Sequence, residues 1–106
     1  MDFTTHNTHF DMNGSYKQGE LHASYEEIVK SFGEPLAGDR YKTDAEWLIR
    51  FEDGELASVY NYKNGEAYNG KDGIPLDDIE DWSIGGFSPK VVQRIQQAVL
   101  GSSRRG

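Results

Sequence analysis

The chain predicts an α+β fold: an antiparallel β-sheet of about three to five strands with two short helices packed on one face. Three observations carry that expectation. The stretch from Asp44 to Tyr62, DAEWLIRFEDGELASVYNY, places runs of aromatic and branched residues on either side of Asp53-Gly54. An Asp-Gly pair so flanked is the strongest short-range hairpin signal, and it points to a type I′ turn with both central residues at positive φ. Ser24 to Phe32 has the apolar spacing of an amphipathic helix, and Ser88-Pro89 opens a second helical pattern near the C-terminus.

Taken in order, the chain begins with a polar segment holding His6, His9 and Asp11. Two imidazoles and a carboxylate are metal-ligand types, but a histidine pair in a polar terminus with no further fixed ligand reads as solvated, and no metal site is expected. Asn13-Gly14 is a turn signal that would join Thr8–Met12 to a strand near Gly19–Ala23, where Leu21 and Ala23 alternate with Glu20 and His22. The helix from Ser24 to Phe32 starts with a capping box, Ser24 and Glu27, and has Tyr25, Ile28, Val29 and Phe32 on one face. Gly33 is placed to end it, and Pro35 prevents resumption. Leu36 to Thr43 reads as a loop returning to the sheet.

In the hairpin, period-two alternation puts Trp47, Ile49 and Phe51 on the core face and Glu46, Leu48, Arg50 and Glu52 on a mixed, solvent-leaning face. The second strand, Leu56 to Tyr60, has two registers open to it. A two- or four-residue loop pairs Phe51 with Leu56, and a bulged three-residue loop pairs Phe51 with Ala57 and turns Val59 inward. From Tyr62 to Gly73 the turn signals Asn64-Gly65, Asn69-Gly70 and Asp72-Gly73 crowd together, predicting a long irregular loop that is the most mobile internal segment. It lacks the Asp/Asn ladder and terminal Glu of a calcium loop. Trp82-Ser83-Ile84 reads as a further strand stopped by Gly85-Gly86, a pair that admits the close approach of another group. In the last helix Val91, Val92, Ile95, Ala98 and Val99 form the buried face, and Gly101 closes it. The expectation is a single domain over 1–101 with a disordered tail over 102–106.

The composition, 36% hydrophobic and 27% charged over 106 residues, is that of a folded domain with one modest core. Cysteine is absent, which excludes disulfides, thiolate catalysis and Cys-based metal centres. No apolar run approaches the ~20 residues of a membrane span, and the first residues show no secretory pattern, so no membrane association and a cytoplasmic location are expected. A net charge of −7 argues against a nucleic-acid backbone as partner and suits a basic protein surface.

The stretches ASYEEIVKSFGEP and YKTDAEWLIRFEDGELASVYNYKNG, followed by DWSIGG and a short helix, resemble a group of small proteins encoded by bacteriophages and prophages. The resemblance covers most of residues 18–100. It implies a virus-encoded accessory protein acting in the cytoplasm of an infected bacterium. The order helix, Gly-x-Pro, loop, Trp-containing strand is also similar, over one segment, to the repeat of the β-lactamase-inhibitory protein fold, whose concave sheet binds other proteins. The secretion signal and disulfides of that fold are missing here.

No catalytic or cofactor motif stands out, so the expected function is non-enzymatic: an acidic inhibitor or modulator of a host protein, with anti-phage defence as a candidate target, self-association being left open. Its partner-binding residues are expected to be Asp77, Asp78, Glu80, Asp81 and Trp82, together with Tyr60 and Tyr62 on the sheet. Four carboxylates in PLDDIED form the densest charged run, and adjacent acids beside a turn read as a solvated surface before they read as a catalytic pair. The alternative is a protein that binds or sequesters a small ligand such as a nucleotide. It would use the aromatics Tyr41, Trp47 and Tyr60 with the cations Lys42 and Arg50, and would show a concave aromatic pocket with basic groups.

Overall fold

The computed structural model describes residues 3–6, 14–38 and 42–104, with the side chains of 14–38 and 42–101. In chain order the elements are β1 (Phe3–His6), β2 (Tyr16–His22), α1 (Tyr25–Phe32), β3 (Leu36–Ala37), β4 (Ala45–Phe51), β5 (Leu56–Tyr60), α2 (Glu66–Asn69), β6 (Asp81–Gly86) and α3 (Lys90–Arg104). Short 3₁₀ turns occupy Gly70–Asp72 and Leu76–Asp78. The strands form one antiparallel sheet in the order β1-β4-β5-β6-β2, and β3 pairs with the start of β4. The architecture is α+β, with α1 and α3 sharing the apolar core on one face of the sheet.

That core is built by the predicted parity. Trp47, Ile49 and Phe51 of β4 meet Ala57 and Val59 of β5, Trp82 and Ile84 of β6, and Leu21 of β2, all almost fully buried. Ile28 and Phe32 of α1 and Val91, Ile95, Ala98 and Val99 of α3 close it from above. Val92, expected inside, is only half-buried at its edge. Leu48 corrects the expected solvent-leaning face: it is buried on the side of the sheet away from the helices, beside Ser58.

The hairpin reverses differently from the expectation. Phe51 N–H donates to Glu55 O and Gly54 N–H to Phe51 O, both at 2.9 Å. Within the turn only Gly54 has positive φ, +91°, so a bulged loop replaces the type I′ turn. Asp53 instead accepts the Glu55 N–H at 3.1 Å, the short side-chain bond that makes Asp a turn former. Leu56 therefore faces Arg50, and Ala57 faces Ile49, matching neither expected pairing of Phe51. Val59 is inward, opposite Trp47, as the bulged alternative required. Arg94 of α3 clamps the turn through Asp53 and Glu55, each at 2.9 Å, and lies 4.1 Å from the Phe51 ring centre.

The capping box of α1 is formed: Glu27 N–H donates to Ser24 Oγ at 3.0 Å, and Ser24 N–H to Glu27 Oε1 at 2.9 Å. Gly33, at φ +86°, caps the other end by donating to Val29 O. Ser88 Oγ receives the Lys90 N–H at 3.2 Å and opens α3. This helix runs through Gly101 to Arg104, in place of the expected stop and disordered tail. A single glycine costs a helix about 1 kcal/mol relative to alanine, and no proline follows to end it.

Other segments also depart from expectation. Leu36 and Ala37, expected in a loop, pair with Glu46 and Ala45. β2 starts at Tyr16 and pairs with β6, and the expected strand Thr8–Met12 lies outside the described residues, as do His9 and Asp11. Phe3–His6, not expected as a strand, pairs with β4. Gly85-Gly86 does not stop β6, which continues through both. The two glycines serve opposite faces. A Cβ on Gly86 would lie 2.8 Å from Val91 Cγ2, so its absence lets α3 settle on the sheet, whereas a Cβ on Gly85 would lie 2.6 Å from Ser58 Oγ.

The expected irregular loop is a folded unit built around Asn61, which is fully buried. Asn61 Oδ1 accepts the N–H groups of Asp44 at 2.7 Å and Ala45 at 3.1 Å, and its Nδ2 donates to Asp44 Oδ2 at 2.7 Å. Asp44 Oδ1 accepts the Ala67 N–H at 2.9 Å, so α2 starts against this pair. Asn64 ties the loop to β6 by donating to Asp81 O at 3.0 Å, and Asn69 donates to Lys63 O at 2.9 Å.

Candidate functional site

Residues that alternate with the core positions project from the sheet face away from the helices: Glu46, Leu48 and Arg50 from β4, Ser58 and Tyr60 from β5, and Ser83 from β6. A cleft of about 330 Å³ lies on this face. Its floor is Ser58 and Gly85, both buried, and Tyr60 is half-buried beside them. Tyr16 and Tyr62, 67% and 48% exposed, form its rim with Lys42, Thr43, Glu46 and Ser15.

The fold assembles this site from four stretches of chain. Tyr60 stands opposite Glu46 on one side and Ser83 on the other. Tyr16 is brought in by the pairing of β2 with β6, opposite Gly86. Tyr62 follows Asn61, one residue beyond the end of β5, and begins the loop that Asn61 anchors. Lys63 Nζ lies 5.2 Å from the Tyr62 ring centre and 5.4 Å from that of Tyr68, a cation between two aromatic faces. Burial raises the Tyr60 pKa, and the neighbouring Tyr62 and Glu46 raise it further, so its hydroxyl stays protonated at neutral pH. Gly85 is required by space: a Cβ there would also come within 3.3 Å of Tyr60 Cε1.

Ser58 is 5% exposed, yet its hydroxyl has no hydrogen-bond partner among the described residues. Buried polar side chains are satisfied in the large majority of cases, so an orphan in the floor of a cleft calls for a reason.

Of the residues expected to bind a small ligand, Lys42 and Tyr60 line this cleft. Trp47 does not: it is 3% exposed in the core, and its indole N–H donates to Gly33 O at 2.7 Å. Arg50 is exposed on the same sheet face but lies further along β4, opposite Leu56, and is not part of the lining. Tyr41 lies outside the described residues. Tyr16, Ser58 and Glu46 are not among the expected site residues, whereas Gly85 belongs to the glycine pair expected to admit a close approach. Period-two counting back from Tyr60 finds Ser58 once the hairpin register is known, whereas Tyr16 is found only from the partner of β6.

The expected acidic patch lies elsewhere. Asp77, Asp78, Glu80 and Asp81 are exposed, and Ile79 between them is fully buried as their anchor. Trp82, expected to dock a partner, is 2% exposed and donates to Ala23 O at 2.9 Å, so it belongs to the core. Glu80 is fixed beside the start of α1 because its carbonyl accepts the Ala23 N–H at 3.0 Å. Glu27, Glu80, Asp81 and His22 line one shallow groove there, in which His22 Nδ1 lies 2.6 Å from Asp81 Oδ1. Nearby, burial raises the pKa of Tyr25, and Glu34 and Asp77 add to the effect. Among the described residues no group of three His, Asp or Glu side chains is placed to hold a metal ion. Tyr62, the remaining expected partner-binding residue, is on the cleft rim with Tyr60, so the expected partner site divides between two places.

No protein-family model matches the chain, and no curated protein matches it significantly.

Proposed function

We propose that the protein is a non-enzymatic binding protein that docks its acidic end on a basic surface of a host protein and so inhibits or modulates it. The phage-type resemblance supplies the setting, the cytoplasm of an infected bacterium, with a defence component as the target. The supporting observation is that carboxylates far apart in sequence converge. Glu27 of α1 shares a shallow groove with Glu80 and Asp81 at the start of β6, Glu34 and Asp77 both act on Tyr25, and Asp78 is exposed next to Asp77 in the chain. Such a surface raises encounter rates with a cationic partner and sets orientation, while half-buried Tyr25 supplies an aromatic anchor at its centre. Among the described residues no helix is long and apolar enough to cross a membrane.

The test is kinetic. Once a partner is captured from host lysate, Asp77→Lys/Asp78→Lys slows its association about tenfold or more, and wild-type affinity falls as salt rises. Folding is unchanged, because exposed charges contribute little to stability. Unaltered association with unaltered salt dependence removes the acidic end as the docking surface.

A further inference from the structure

We propose that the tyrosine cleft is a second, independent site, one that binds a small planar heteroaromatic molecule of the nucleoside class. The recognition consists of stacking on the tyrosine rings and a hydrogen bond with the Ser58 hydroxyl. Three features of the cleft select this chemistry. The first is the orphan hydroxyl: Ser58 is 5% exposed, lines the cleft and is unpartnered among the described residues. A hydroxyl both donates and accepts, and the edge of a nucleobase offers ring-nitrogen acceptors and exocyclic N–H donors in one plane.

The second is the aromatic lining. Tyr62 stands at the rim, 48% exposed with Lys63 Nζ over its ring at 5.2 Å, Tyr60 flanks the floor, and Tyr16 borders the cleft from β2. Exposed aromatic faces around a polar floor suit a flat ring with polar edges better than an aliphatic group, because every base has a π face to stack. The third is size. A cleft of about 330 Å³ stands at the lower end of ligand pockets, roughly 300–1,000 Å³, a size that suits a single base or mononucleoside. Gly85 keeps the floor open, since any side chain there would collide with Ser58. Lys42 and Glu46 hold other contacts at the rim, and the recognition does not depend on them.

The same chemistry is available from a free nucleotide or from a base in a single strand. The net charge of −7 favours the free molecule, because strand binders carry a basic track along the backbone.

The test titrates the full ¹⁵N-labelled chain with each of the four common nucleoside 5′-monophosphates into the millimolar range, and separately with a short single-stranded oligonucleotide. At least one monophosphate should shift the amides of Ser58, Tyr60, Tyr62 and Gly85 saturably. Ser58→Ala should weaken that binding about fivefold, and Tyr62→Ala about tenfold, with both variants keeping the wild-type spectrum elsewhere. The inference is overturned if no monophosphate gives saturable shifts, which would leave solvent as the partner of Ser58. It is overturned equally if the shifts map away from the cleft, if Ser58→Ala binds as tightly as the wild type, or if the oligonucleotide binds far more tightly with a steep salt dependence. Since none of these measurements involves the acidic end, their failure leaves the docking proposal standing, and the reverse holds too.

Discussion

On the helix-covered face of the sheet, Trp47 and Trp82 each carry a polar N–H into the core, and each finds a carbonyl, Gly33 O at 2.7 Å and Ala23 O at 2.9 Å. On the opposite face Ser58 is as deeply buried, and its hydroxyl finds no partner among the described residues. The two faces share the same strands and the same backbone ladder, so the difference lies in what the side chains are for. The covered face is satisfied, apolar and closed by Gly86 and Gly19, which let α3 approach. The open face keeps unspent polar capacity and exposed aromatic rings around Gly85. A hydroxyl in the floor of an open cleft is within reach of water, and a ligand bound there would take that water's place.

The comparison breaks most readily at Phe51, whose ring is 1% exposed in the core and covered by Arg94. Phe51→Ala should cost roughly 3–5 kcal/mol in a denaturant melt. A loss below ~1 kcal/mol would mean that the two faces are exchanged.

Asn61 tests whether the loop from Tyr62 to Gly73 belongs with the satisfied part of the molecule. Asn61→Ala strands the Asp44 and Ala45 N–H groups and leaves the Asp44 carboxylate with only its Ala67 bond of the two described, which should cost about 2–3 kcal/mol. In the wild type the amides of Asn69, Gly73 and Ile74, bonded to Gly65, Gly70 and Asn64 carbonyls, should resist hydrogen exchange, and in the variant they should lose protection together. Fast exchange of all three in the wild type would return the segment to the mobile loop that its turn-rich composition predicts.

The smallest effect is the sharpest discriminator. Ser24 is half-buried and caps α1, whereas Ser58 is buried and bonds nothing described. Ser24→Ala should cost about 1 kcal/mol. Ser58→Ala should change stability by no more than about 0.5 kcal/mol or raise it, since it removes an unpaired hydroxyl. A Ser58→Ala loss equal to that of Ser24→Ala would show that the hydroxyl is satisfied within the folded chain.

Much of the fold is legible in the sequence because its signals are local. Ser24 and Glu27 are three positions apart and meet within one helical turn, and the Trp47-Ile49-Phe51 alternation needs only the period of a strand. The α+β class and the two main helices follow from such patterns. The turn type at Asp53-Gly54 did not, because a left-handed Gly54 with Asp53 bonded to Glu55 satisfies the same dipeptide. Trp82 looks like a docking residue in a linear reading, and Trp47, though inward by parity, also offers itself as a ligand aromatic; in the fold their N–H groups reach the two ends of α1 and both are core. The sequence by itself determined the acidic charge, the absence of thiol chemistry, the helix caps at Ser24, Gly33 and Ser88 and the inward parity of β4. Only the tertiary structure decided that Tyr16, Ser58, Tyr60 and Tyr62 share one cleft. That required β2 to pair with β6 and Asn61 to fix the loop across the sheet from Asp44, and contacts between stretches so far apart leave no periodic trace along the chain.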